Sequence, residues 1–140
     1  MKTFLGSSRL AYVGVVVVAV GFALFIIGLF PRLIMLDMTP GVGILQILVF
    51  LFGLTLMTLG CYIYLYATRH RDRPPRLRED IGVRLMATGV VTAYATGLAD
   101  VLGIGSHYGL ERPLFGWLQA GGVAVSVFVI IVGIVLYSYK

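Results

Sequence analysis

Four long apolar runs, separated by short polar segments, make up most of the chain. Runs 10–30, 41–68 and 114–139 contain no charged residue, and run 85–110 is interrupted only by Asp100. About 20 apolar residues of helix are needed to cross a hydrocarbon core of about 30 Å. The pattern therefore predicts an all-α membrane protein with four transmembrane helices, at about 10–30, 41–68, 81–102 and 114–138. The runs do not alternate polar and apolar residues, so strands of a membrane barrel are not expected.

Composition supports this class. Of the 140 residues, 59% are hydrophobic and 12% are charged, whereas a soluble domain is about half apolar and about a quarter charged. The single cysteine, Cys61, excludes a disulfide-stabilised scaffold. The chain is thus expected to form a single membrane domain over 1–140.

The basic residues are divided unevenly between the two sides of the predicted helices. Nine of the eleven belong to the N-terminus, to the loop 69–80 and the residues just after it, or to the C-terminus. They are Lys2, Arg9, Arg69, Arg71, Arg73, Arg76, Arg78, Arg84 and Lys140. Cytoplasmic loops of membrane proteins are enriched in Lys and Arg. We therefore expect both termini in the cytoplasm, and a bacterial cytoplasmic (inner) membrane as the location. Because this topology accounts for the net charge of +5, no nucleic-acid partner is expected.

The loop 69–80 also supplies candidate contact residues. Its five arginines are Arg69, Arg71, Arg73, Arg76 and Arg78. Clusters of this kind beside a membrane helix attract anionic lipid headgroups. The alternative is that they dock a cytoplasmic partner.

Two parts of the sequence match at a fixed offset. Segment 40–46 matches segment 113–119 through Pro, Gly, Leu and Gln, at an offset of 73 residues. The preceding helices match at an offset of 75, which aligns Arg9 with Arg84. The sequence thus predicts two tandem helical hairpins, in which helices 1 and 2 are repeated as helices 3 and 4. Both copies would have the same orientation, as a parallel repeat about an axis along the membrane normal.

Small residues recur at seven-residue spacing and indicate the faces on which the helices pack. The candidates are Gly14, Gly21 and Gly28 in helix 1, Gly53 and Gly60 in helix 2, and Ser126 and Gly133 in helix 4, where Gly122 lies one turn before Ser126. In lipid, small residues allow the close backbone approach on which helix association depends. A stripe of hydroxyl groups, from Thr88, Thr92 and Thr96, is predicted on helix 3.

A few polar residues are candidates for a functional role. Asp100 would lie about 28 Å along helix 3 at about 1.5 Å per residue, so it is expected at the outer interface as a helix-terminal carboxylate. The alternatives are an ion or proton site, or a contact to a partner subunit. Gln46 and Gln119 are equivalent in the repeat, and each amide requires partners in a dry environment. They are expected to pair between helices, or to line a pocket for a headgroup or quinone. His107 is a weaker cofactor candidate in the outer loop, and no metal site is expected because no second ligand stands at suitable spacing.

The sequence contains no nucleophile–base arrangement, no metalloprotease motif and no phosphate-binding loop. We therefore expect a protein that is not an enzyme and has no cofactor apart from bound lipid. The first hypothesis is a structural or accessory subunit that packs against other subunits of a larger membrane complex. The alternatives are a small oligomeric channel or transporter, and an outer-leaflet protein that binds lipid or quinone.

Overall fold

The computed structural model of the chain describes residues 2–30, 43–70, 74, 76–99, 101 and 116–139. They form four α-helices in the order α1 (Lys2–Leu29), α2 (Ile44–Leu65), α3 (Leu77–Gly97) and α4 (Trp117–Ser138), and α2 continues as a π-helical segment over Tyr66–His70. The prediction of an all-helical protein with four helices is confirmed. Five residues singled out in the sequence lie outside the described residues: Arg71, Arg73, Asp100, His107 and Lys140.

Three of the four described helices are long and apolar enough to cross a membrane. Their spans are Ser8–Leu29, Ile44–Arg69 and Trp117–Ser138. The predicted transmembrane character of α3 is not supported in the same way, because that helix does not coincide with the third apolar run. It ends at Gly97, inside the run, and its first two turns contain charged residues that the sequence pattern had placed in the loop 69–80.

The early start of α3 has a local cause. The backbone N–H of Arg76 donates a hydrogen bond to Glu79 Oε2 at 3.0 Å, so one side chain of the first turn closes the start of the helix. Glu79 and Asp80 also place negative charge at the positive end of the helix dipole. α3 therefore begins at Leu77, four residues before the predicted position.

The remaining helices also depart from their apolar runs at one end. α1 begins at Lys2, because the residues before Leu10 include charged side chains but no proline to interrupt the helix. α2 and α4 each begin three residues later than predicted, after Gly43 and Gly116 in extended conformation. The apolar runs therefore mark the part of each helix that suits lipid, and not the helix ends themselves.

α1 packs against α2 in antiparallel orientation along a line of glycines. A Cβ added to Gly14 would lie 2.7 Å from the Tyr64 nitrogen, and one added to Gly28 would lie 2.5 Å from the Phe50 nitrogen. Real Cβ atoms do not approach backbone so closely, so the two helices meet at a distance that only glycine permits. This is the close backbone contact typical of helix pairs in membranes.

α3 and α4 pack antiparallel in a similar way. A Cβ on Gly82 would lie 2.8 Å from the Gly133 carbonyl oxygen, and one on Gly89 would lie 3.0 Å from the Ser126 carbonyl oxygen. Ser126 is completely buried, and its hydroxyl donates to the Gly122 carbonyl oxygen at 2.8 Å, so it adds no unsatisfied polar group to this contact.

The two helix pairs meet where α2 touches α3 and α4. The buried residues at this junction are Ile47, Leu51, Leu54, Ala93 and Ile130. A smaller buried cluster nearer the start of α3 consists of Leu65, Met86 and Tyr137. α1 lies at the edge of the bundle, and most of its surface faces outward.

Candidate functional site

A groove runs between α1, α2 and α4 at the end of the bundle that holds Gln46 and Gln119, which we call the glutamine end. Its volume is about 490 Å³. The bulky apolar walls are formed by Phe25, Leu29, Ile47, Phe50, Val123 and Val127. Ala120 and Ala124 of α4 line it as well, and their small side chains leave the groove open. Gln46 carries the single polar side chain among the described residues that line it.

The two glutamines occupy different environments. Gln46 is half-buried in the groove, and its carboxamide makes no hydrogen bond with any part of the chain that the structure describes. Gln119 is only 6% exposed, and its Oε1 accepts a hydrogen bond from the Gly116 backbone N–H at 2.8 Å. Its Nε2 is buried and has no hydrogen-bond partner among the described residues. The two glutamines therefore do not pair with each other. Gln119 caps α4, and Gln46 faces the groove.

The predicted packing glycines lie at helix–helix contacts. Six of them face the backbone or a short side chain of the neighbouring helix within 3.0 Å of an added Cβ: Gly14, Gly21, Gly28, Gly53, Gly60 and Gly133. The seventh, Gly122, faces Thr96, whose Cγ2 would lie 2.6 Å from its added Cβ. The sequence pattern did not single out Gly82, which packs against Gly133, because it precedes the third apolar run.

The opposite end of the bundle, which we call the arginine end, holds Arg69, Arg76 and Arg78. All three are exposed. Arg69 Nη1 donates a hydrogen bond to the Ser138 carbonyl oxygen and so joins the π-helical segment to the end of α4. The arginine end thus has an exposed basic surface on a framework made by α2, α3 and α4.

A cluster of aromatic rings lies beside these arginines. The Tyr62 ring centroid is 6.2 Å from that of Tyr66 and 5.4 Å from that of Tyr137. Tyr137 is 4% exposed, and the buried carboxylate of Glu79 lies near it. The contact of these rings with one another depends on how α2 and α4 are placed.

The outward face of α3 differs from the outward faces of the other helices. Its exposed residues in the middle of the helix are small or hydroxylated, with one valine: Ala87, Thr88, Val91, Thr92 and Ala95. The Thr92 hydroxyl donates to the Thr88 carbonyl oxygen at 2.7 Å, so its hydrogen is used within the helix. By contrast, α1 and α4 expose bulky residues, including Phe22 and Phe128.

Within the part of the chain that the structure describes, no three His, Cys, Asp or Glu side chains are grouped so that they could hold a metal ion. The chain matches no protein-family model, no curated protein and no solved structure.

Proposed function

We propose that the chain is an accessory subunit of a larger membrane complex, and that the outward face of α3 binds a transmembrane helix of another subunit. The supporting observation is the contrast between this face and the surfaces of α1 and α4. Small residues on a helix in lipid favour close contact with another helix, whereas bulky aliphatic residues are equally well placed against lipid tails. The α3 face is thus suited to a protein neighbour.

The Thr92 hydroxyl supports this interpretation, because it donates to the Thr88 carbonyl oxygen at 2.7 Å. A hydroxyl whose hydrogen is already bonded can be covered by an apolar helix without a desolvation penalty. The exposed Thr88 hydroxyl has no hydrogen-bond partner among the described residues, so it is available to the partner helix. The proposed partner is therefore a predominantly apolar helix with small residues of its own.

We also propose that α3 crosses the membrane beside α4, which completes four spans with both termini in the cytoplasm of a bacterial cell. The exposed arginines of the arginine end support this orientation, because basic residues are retained on the cytoplasmic side. These arginines would also contact anionic lipid or a cytoplasmic partner.

The proposed duplication of a helix pair is supported by equivalent contacts. Gly14 packs against Gly60, and Gly82 packs against Gly133 in the same way. Gly60 and Gly133 are related by the offset of 73 residues, but Gly14 and Gly82 are related by 68, not by the 75 that sequence matching suggested. The difference of seven residues is about two helical turns, so both alignments select the same helix face.

The next contact along each pair follows the same rule. Gly21 packs against Gly53, and Gly89 packs against Ser126. Related sequences in which these two sets of contact positions vary independently, with no shared small residue, would argue against the duplication.

Co-purification from native membranes tests the accessory role. A tagged chain is extracted in mild detergent, and the proteins that accompany it are identified by mass spectrometry. The variant A87L/A95L enlarges two residues of the α3 face, and A19L/A23L makes the same change on the outward face of α1, where both alanines are also exposed. We expect the α3 variant to lose its partners and the α1 variant to keep them.

Two results would contradict the proposal. One is recovery of the wild-type chain with no other membrane protein, and the other is retention of all partners by A87L/A95L. Co-expression of two differently tagged copies identifies self-association, and recovery of the second copy alone would favour the oligomeric channel instead.

A further inference from the structure

We propose that the groove between α1, α2 and α4 binds one acyl chain of a bilayer phospholipid, with the Gln46 carboxamide hydrogen-bonded to an ester carbonyl of that lipid. This site lies apart from the outward face of α3, and it does not depend on the subunit partner proposed above.

The size and chemistry of the groove suit a ligand with a long apolar part and one polar group. Its volume of about 490 Å³ falls within the range of about 300–1,000 Å³ that is common for ligand sites. Such sites are mostly apolar and contain a small number of polar groups that fix the orientation of the ligand. Here Gln46 is the polar group among the described lining residues.

The position of the groove on membrane-crossing helices favours a lipid as its ligand. The three helices that line the groove are the same three that are long and apolar enough to cross a membrane. In a membrane, the apolar part of an open groove on such helices faces acyl chains. If the groove stayed empty, its walls would lose dispersion contacts. Acyl chains of the surrounding bilayer are the molecules available to fill it.

The depth of Gln46 matches the ester groups of a phospholipid. The span Ile44–Arg69 has 26 residues, which is about 39 Å of helix at about 1.5 Å per residue. The hydrocarbon core is about 30 Å thick, so each end of this span extends roughly 4 Å beyond the core. Gln46 lies two residues from one end and is therefore at the boundary between the headgroups and the hydrocarbon.

The apolar part of the groove continues inward from that level. Along α4 its lining extends from Ala120 to Val127, which is about 10 Å of helix. A polar group at the boundary and an apolar channel below it reproduce the order of ester and chain in a phospholipid. The Gln46 amide has two donors and no hydrogen-bond partner among the described residues, so it can supply the hydrogen bond that an ester carbonyl accepts.

Photo-crosslinking tests this assignment. The purified full chain is reconstituted into phosphatidylcholine vesicles that contain a small fraction of phosphatidylcholine with a diazirine midway along one acyl chain. After illumination, the adducts are located by peptide mass spectrometry. We expect adducts to be concentrated on groove residues such as Phe25, Val123 and Val127.

Two variants separate the apolar and polar contributions. A120L/A124L fills the groove and is expected to abolish the groove adducts. Q46L removes the amide and is expected to lower the yield of these adducts about threefold to tenfold, which is the range for one hydrogen bond in a membrane. A23L enlarges an exposed alanine on the outward face of α1 at a similar depth and is expected to leave the yield unchanged. Thermal unfolding of each variant shows that it is folded, and Q46L remains informative if A120L/A124L is not.

Adducts spread evenly over the outward surfaces of α1 and α4, or a yield that neither variant changes, would overturn the proposal. Displacement of the groove adducts by a small amount of ubiquinone would also overturn it, because it would assign the groove to a quinone.

Discussion

Gly21 of α1 and Gly53 of α2 face each other at a distance that excludes any side chain on either residue. A Cβ on Gly21 would lie 2.9 Å from the Gly53 carbonyl oxygen, and a Cβ on Gly53 would lie 2.8 Å from the Gly21 carbonyl oxygen. Because the relationship is reciprocal, neither helix can shift along its axis to relieve a substitution on the other. The position of α1 depends on this contact, since α2 is its main neighbour.

A glycine-to-alanine substitution at this contact is expected to be strongly unfavourable. G53A should lower the free energy of unfolding by about 1–3 kcal/mol, the usual range for overpacking, because its Cβ would meet the backbone of Phe25. Reversible denaturation in mixed micelles measures the change. G121A is the control, since nothing lies within 4 Å of a Cβ at that position. It should gain up to about 1 kcal/mol from the better helix propensity of alanine, and equal losses in both variants would contradict the proposed contact.

Glu79 and its neighbour Asp80 should differ in their contributions to stability. The Glu79 carboxylate accepts the Arg76 N–H and is 9% exposed, so E79A should cost about 1–2 kcal/mol, as for loss of a helix cap. Asp80 pairs with Arg84 at 2.8 Å, but the two side chains are 51% and 77% exposed. D80A should therefore change the free energy of unfolding by less than about 1 kcal/mol. A larger loss in D80A than in E79A would show that the start of α3 is stabilised differently.

The contact between Tyr137 and Tyr62 at the arginine end is expected to stabilise the fold through the ring pair and the hydrogen bond between the two side chains. In Y137L, an apolar side chain of similar position is kept but the ring pair with Tyr62, at 5.4 Å, is lost. We expect the free energy of unfolding to fall by about 1–3 kcal/mol, from the lost aromatic pair and the imperfect fit. Y139L is the matched control, since Tyr139 is 68% exposed. Thermal unfolding in detergent should show no significant change in that variant.

Cysteine labelling tests the proposed orientation. In a chain with Cys61→Ser, a single cysteine is introduced at Trp117 or at Tyr139, which are 92% and 68% exposed. A membrane-impermeant maleimide added to intact bacterial spheroplasts should label W117C directly and Y139C only after lysis. The reverse pattern would show that the termini lie outside.

The same assay tests whether α3 crosses the membrane. Leu77 and Val101 stand at and just beyond its two ends, and both are exposed. If α3 spans, V101C should be labelled in intact spheroplasts and L77C only after lysis. Equal labelling of the two cysteines would show that the helix does not cross.

Much of the architecture follows from the sequence, because helices in lipid are specified by local features. Uncharged runs identified the helices, and the seven-residue spacing of Gly14, Gly21 and Gly28 identified the face that α1 presents to α2. Both signals are properties of a single helix and require no knowledge of its neighbours.

The bounds of α3 were predicted less well, for a physical reason. Charged residues before Ile81 resemble a loop by hydropathy, but the Glu79 side chain caps the helix and the charges become part of its first two turns. The groove could not be predicted at all, because Phe25, Gln46 and Ala124 come together only through the relative placement of three helices. Gln46 was singled out as a candidate, but its repeat equivalence to Gln119 gave no indication that the two side chains face different surroundings.

The poor match between α3 and its apolar run has a consequence for biosynthesis. A helix with charges in its first two turns partitions weakly into lipid by itself, whereas α1, α2 and α4 each contain a segment long and apolar enough to cross a membrane. α3 is therefore expected to enter the bilayer only together with α4, through the Gly82–Gly133 contact. A chain that stops before Trp117 should leave α3 accessible to protease on the side of synthesis, while the complete chain protects it. On this account the molecule inserts in three steps, two single helices followed by a pair.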